Sequence, residues 1–78
     1  MNVIDFYQWS EVNLMGEAVL YTNFRDGKLM LRKTIYGYYA GTIHINNQLK
    51  PLPIGVPIEL ETAKRLTIAN AIHTLKKR

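Results

Sequence analysis

Apolar and polar residues alternate on both sides of Asp26-Gly27, and an Asp-Gly pair between two such runs is the composition of a two-residue type I′ hairpin turn. With that pair at the tip, Arg25 faces Lys28, Phe24 faces Leu29, Asn23 faces Met30, Thr22 faces Leu31, Tyr21 faces Arg32 and Leu20 faces Lys33. Alternate side chains point to opposite sides of a strand. Leu20, Phe24, Leu29, Leu31 and Ile35 are therefore expected to line a core face, and Tyr21, Asn23, Arg25, Lys28, Met30, Arg32 and Thr34 the other. A third strand is predicted over residues 42–46, where Ile43 and Ile45 alternate with polar neighbours, after a connection spanning Gly37 to Gly41. Residues 46–55, with Asn46, Asn47, Pro51, Pro53 and Gly55, read as a loop. Val56, Ile58 and Leu60 then alternate with Pro57, Glu59 and Glu61, as in a short fourth strand that Pro57 would confine to a sheet edge.

Residues 63–76 contain neither Gly nor Pro, and Thr62 before them is a good N-cap, so a helix is predicted over about 62–76. Ile68, Ala71, Ile72 and Leu75 fall within one arc of about 100°, the width of a core-facing stripe. Leu66 lies about 120° outside it on the same wheel. Either the N-terminal segment or the Pro-rich loop covers Leu66, or it contacts a partner. The first element has two readings. Asp5 with Gln8 has capping-box spacing, Ile4 and Trp9 are placed as a hydrophobic staple and Gly16 suits the end of a short helix, while the aromatic and β-branched residues of 3–9 also suit a strand. The expected class is α+β: an antiparallel sheet of three to four strands, packed on one face by the C-terminal helix, with a short N-terminal helix as one reading.

Length and composition narrow this further. A chain of 78 residues is expected to form one domain, 1–78, and a core that small gains from self-association, so a homodimer belongs among the partners considered. The apolar fraction of 47% with 21% charged residues is ordinary for a globular fold. Cysteine is absent, which removes disulfides and thiolate chemistry and points to a reducing, cytoplasmic setting. A basic segment followed by an apolar run is missing from the N-terminus, and no apolar run is long enough to span a bilayer, so neither a signal peptide nor a membrane partner is expected.

The net charge of +4 is unevenly placed. Residues 1–24 carry Asp5, Glu11 and Glu17 and no base; 25–33 carry Arg25, Lys28, Arg32 and Lys33 against Asp26; from Lys64 onward there are five bases and no acid. Such polarity favours an anionic partner. Catalytic groups are sparse: Ser10 is the only serine, His44 and His73 lie in no metal-ligand spacing, the carboxylates match no motif, and no glycine-rich phosphate loop appears. No enzyme activity, cofactor or metal is expected. Tyr21, Arg25, Lys28 and Arg32 share the solvent side of the predicted hairpin, an aromatic beside cations as base stacking with phosphate neutralisation requires, and Lys76, Lys77 and Arg78 add charge at the helix end. The same residues also suit a solvated face protected by a cation–π pair. Tyr36, Tyr38 and Tyr39 around Gly37, together with Leu66, form a candidate protein interface.

Taken with an N-terminal helix, the order helix, three strands, helix is similar to that of the double-stranded-RNA-binding domain, and Ala63-Lys64, Ala71-Ile72 and Leu75 repeat the spacing of that family's last helix. The resemblance implies reading of RNA shape by a lysine-rich helix start and a histidine-bearing loop. Here the helix is entered through acidic Leu60-Glu61 and the hairpin loop is only Asp26-Gly27, so the family is not assigned. The sheet-plus-helix arrangement also resembles the arm-binding domains of phage-type integrases, without a diagnostic motif. Two function classes follow: a nucleic-acid-binding protein acting through the basic hairpin face, or a protein-binding inhibitor or regulator of the kind phages and mobile elements encode, such as an antagonist of a host defence complex. In the second, the target is an acidic or nucleic-acid-associated protein complex.

Overall fold

The computed structural model describes residues 7–76, which form β1 (Ser10–Leu14), β2 (Glu17–Phe24), β3 (Gly27–Lys33), β4 (Tyr39–Ile45), β5 (Gln48–Leu52) and α1 (Leu60–Lys76). The strands make one antiparallel sheet in chain order, and α1 packs across β3, β4 and β5. The α+β class is as expected, with five strands where three to four were predicted. No helix of the described residues is long and apolar enough to cross a membrane.

Within the described residues, Ser10–Leu14 is a strand where one reading expected a helix. Ser10-Glu11-Val12-Asn13-Leu14 alternates with period two, and Met15 (φ 53°) and Gly16 (φ 85°) form a tight turn into β2 with the two positive φ values of type I′. The Asn13 side-chain oxygen accepts the Gly16 N–H at 3.0 Å and ties that turn. Asp5 and Ile4, which carried the helical reading, lie outside the described residues. Loss of that helix also removes the order shared with the double-stranded-RNA-binding domain.

The β2–β3 tip is displaced from its expected position. Phe24 pairs with Gly27, so Arg25 (φ 53°) and Asp26 make the turn, Asn23 faces Lys28, Thr22 faces Leu29, Tyr21 faces Met30 and Leu20 faces Leu31. Each partner has moved by two residues, which leaves the paired side chains on their predicted faces because the pleat also repeats every two. Gly27 answers to a different need from the one read in the sequence: a Cβ there would run into the backbone carbonyl of His44. Ile35, expected in the core, is 90% exposed in the β3–β4 loop, since β3 ends at Lys33 and Thr34 closes a turn onto Tyr38.

The segment read as a loop contains β5. Asn46 (φ 54°) and Asn47 (φ 61°) supply a second type I′ turn, a conformation asparagine tolerates, and Pro51 is acceptable because β5 is an edge strand. The fourth strand predicted around Val56 does not form. Pro57 instead gives a carbonyl to the Tyr39 N–H at 3.0 Å, and Val56 and Ile58 stay exposed. Strand β4 begins at Tyr39, ahead of the predicted 42–46. The helix starts at Leu60, two residues before the expected Thr62 cap, with the Glu59 carbonyl accepting the Ala63 N–H at 2.9 Å.

Phe24, Leu29, Leu31, Ile43, Leu52, Ile54, Ala63, Ile68 and Ala71 form the core between helix and sheet. Each of the large apolar side chains contributes about 1.5–3 kcal/mol by leaving water. The buried side of α1 is Ala63, Thr67, Ile68 and Ala71, a face turned by about 60° from the predicted stripe. Small residues in that row let the helix approach Gly41, where an added Cβ would stand 3.0 Å from the Thr67 hydroxyl. This rotation brings Leu66 to the margin of the core, half-buried against it, with Ile72 half-buried at the other margin. Tyr7 and Trp9 cover the part of the same sheet face that α1 leaves over β2: the Tyr7 ring lies 5.7 Å from that of Phe24, and the Thr22 hydroxyl donates to the Gln8 carbonyl at 2.9 Å.

Candidate functional site

With one face of the sheet closed by α1 and by Tyr7–Trp9, the opposite face is open, and the register decides what stands on it. Asn23, Lys28, His44 and Leu49 form one row across β2 to β5, and Tyr21, Met30, Thr42 and Pro51 the next. Val12, Val19, Arg32 and Ala40 form a third, on β1 to β4, with Leu14 and Glu17 beyond it.

At the end where the β2–β3 and β4–β5 turns meet, the first row opens into a groove of about 460 Å³ lined by Asn23, Arg25, Asp26, Gly27, Lys28, His44, Ile45, Asn46 and Asn47. Arg25 and Lys28 bring two cations, His44 an imidazole, and the asparagines amide donors; Asp26 is the only acid. The Arg25 guanidinium sits 5.4 Å from the ring of Phe24, a core-face residue, and the Lys28 ammonium 5.1 Å from the Tyr21 ring on the open face, and both side chains remain exposed. Such a cleft can hold an anion at several donors at once.

The middle of the open face is apolar. A twisted sheet lifts two opposite corners toward the same side. Leu14 on β1 and Leu49 on β5 are such corners, and both line one hollow of about 260 Å³ whose other residues are Val19, Met30, Arg32, Ala40 and Thr42. A second hollow of about 270 Å³ shares Leu14, Val19 and Met30 and adds Val12, Tyr21 and Lys28. Val19 on the floor is 6% exposed, whereas Leu14 and Leu49 on the walls are 51% and 61% exposed. Together they make one trough.

The predicted basic face is thus only partly assembled. Tyr21, Lys28 and Arg32 share the open side, but Arg25 lies in the turn, and Tyr21 is opposite Met30 with Lys28 over its ring in place of the expected Arg32. Arg32 approaches Glu17 at 3.9 Å, both side chains more than half exposed. Lys76 belongs to the layer behind the sheet, and Lys77 and Arg78 lie outside the described residues. The tyrosine group divides as well: Tyr36 and Tyr38 stack in the β3–β4 loop at 6.1 Å and 11°, Tyr39 is half-buried on the core face of β4 with Lys33 6.0 Å from its ring, and Leu66 packs on the core. His44, Asn46, Asn47, Val12, Leu14, Val19 and Leu49 were missed. The alternation of 10–14 and the left-handed preference of Asn46-Asn47 were the signals that would have found most of them. No group of three His, Asp or Glu side chains among the described residues is placed to hold a metal ion. No protein-family model, curated protein or solved structure matches the chain.

Proposed function

We propose that this is a small non-enzymatic binding protein that holds a nucleic-acid backbone in the groove between its two hairpin tips. The observation that carries the reading is that Arg25, Lys28 and His44 line one groove with Asn23, Asn46 and Asn47. The two cations neutralise phosphates while the amides and imidazole donate to phosphate and sugar oxygens. Lys28, drawn to a phosphate, uncovers the Tyr21 ring beside it for stacking against a base. Contacts of this kind go to the backbone and carry no sequence information, so binding is expected to discriminate little between sequences.

Titrating labelled DNA and RNA oligonucleotides across a salt series tests this. Binding is expected at low salt, weakening as salt rises, and Arg25→Ala with Lys28→Ala should lower the slope of log affinity against log salt by roughly 2 while weakening all sequences alike. Absence of binding at low salt, or indifference to the double substitution, overturns the proposal.

A further inference from the structure

The apolar trough is a different surface with a different chemistry, and its occupant follows from shape and charge. We propose that it receives an amphipathic α-helix of a partner protein, with acidic residues flanking the helix's apolar stripe. Val19 and Met30 form the floor, Leu14 and Leu49 the raised walls. Five strands at about 4.8 Å spacing, raised at two diagonal corners, leave a channel wide enough for a helix about 10 Å across. Apolar side chains at i, i+3 or i+4, and i+7 of that helix meet the floor.

Charge selects among such helices. Lys28 lines one of the two hollows and Arg32 the other. They stand four residues apart on the same face of β3, hence about 13 Å, the rise of about nine helical residues. Glu17 is the one acid on this face of the described residues, and at 3.9 Å, with 54% of its side chain exposed, it holds Arg32 loosely enough for a partner carboxylate to replace it. A second copy is a poor occupant, because it would bring Lys28 and Arg32, with Glu17 alone against them, to a face of the same net charge. Nucleic acid is poorer still, since the floor is made by the apolar side chains of Val19 and Met30.

The test uses the whole protein with 13C-labelled methionine methyls and two synthetic helix-forming peptides of about four turns, identical in their leucine stripe. One carries glutamates about nine residues apart on its flanks; the other carries lysines there. The glutamate peptide should shift the Met30 methyl resonance saturably and leave that of Met15, which projects fully into solvent, unmoved. Its affinity should exceed that of the lysine peptide by about tenfold or more. Leu49→Asp should remove the preference by weakening the glutamate peptide a further tenfold or so, while Arg25→Ala, outside the trough, leaves it intact. Leu14→Asn provides the same check from the opposite wall. An unmoved Met30, equal affinity for the two peptides, a Met30 shift on simple dilution that reports self-association, or a Met30 response to oligonucleotide and not to the glutamate peptide each overturns the proposal. Failure here leaves the salt-dependent binding at Arg25 and Lys28 to be judged on its own.

Discussion

Replacing Gly41 by alanine tests how closely the helix rests on the sheet. The added Cβ would meet the Thr67 hydroxyl at 3.0 Å and the Thr67 methyl and Ile54 Cδ1 at 3.4 Å. Thr67 cannot step aside: it is fully buried, its β-branched side chain has few rotamers in a helix, and its hydroxyl donates to the Ala63 carbonyl at 2.7 Å. Overpacking of this kind costs about 1–3 kcal/mol, and the loss of glycine's freedom in the unfolded chain returns about 0.4–1. A net loss of about 1–2 kcal/mol is expected, or a fall in Tm of the order of 5–10 °C for a domain this size. Thr67→Ala alone should cost about 1 kcal/mol through its methyl and hydroxyl bond. It also opens the space the new methyl needs. In that background Gly41→Ala should therefore become neutral or stabilising, a coupling of about 1–2 kcal/mol. Urea unfolding monitored by fluorescence of Trp9, the single tryptophan and packed against the core, measures all four proteins. If Gly41→Ala costs as much in the Thr67→Ala background as it does beside the native threonine, the steric account is wrong.

Two further substitutions probe turns and the N-terminal segment. Met15 holds φ 53° with its side chain wholly in solvent, so Met15→Asn, which makes an Asn-Gly type I′ turn, should stabilise by roughly 0.5–1 kcal/mol, and a lower urea midpoint would contradict it. Thr22→Val removes the hydroxyl that the Gln8 carbonyl accepts; it should cost about 1 kcal/mol and speed amide exchange near Gln8 and Trp9, whereas unchanged exchange there would show that the bond does not anchor the segment.

The core face of the central hairpin was legible in the sequence because period-two alternation survives an error of two residues in register: Phe24, Leu29 and Leu31 are buried as read. The turn itself was not, because Gly27 suggested a positive φ when its requirement is space beside the His44 carbonyl, a contact made by a strand distant in sequence. Leu66 lies nearer the core than the predicted stripe placed it, for a related reason. The helix turns its small residues, Ala63, Thr67 and Ala71, toward the sheet so that it can approach Gly41, and a pattern of large apolar side chains alone points elsewhere. For the candidate site, Arg25 and Lys28 were recognised by charge, but the strand that brings His44, Asn46 and Asn47 beside them was half-hidden in what read as a loop. The trough was invisible while the first element was open between helix and strand, for its walls belong to the two strands that were not foreseen.

Every strand pairs with its neighbour in sequence, and three of the four joints are two residues long. Closing such loops costs little chain entropy, and contacts this local favour rapid folding. The sheet can therefore assemble hairpin by hairpin from any starting pair. Only α1 must travel, returning from beyond β5 to reach β3, and the point it must find is the shallow seat at Gly41. Docking of that one segment, rather than growth of the sheet, is where this chain commits to its final shape.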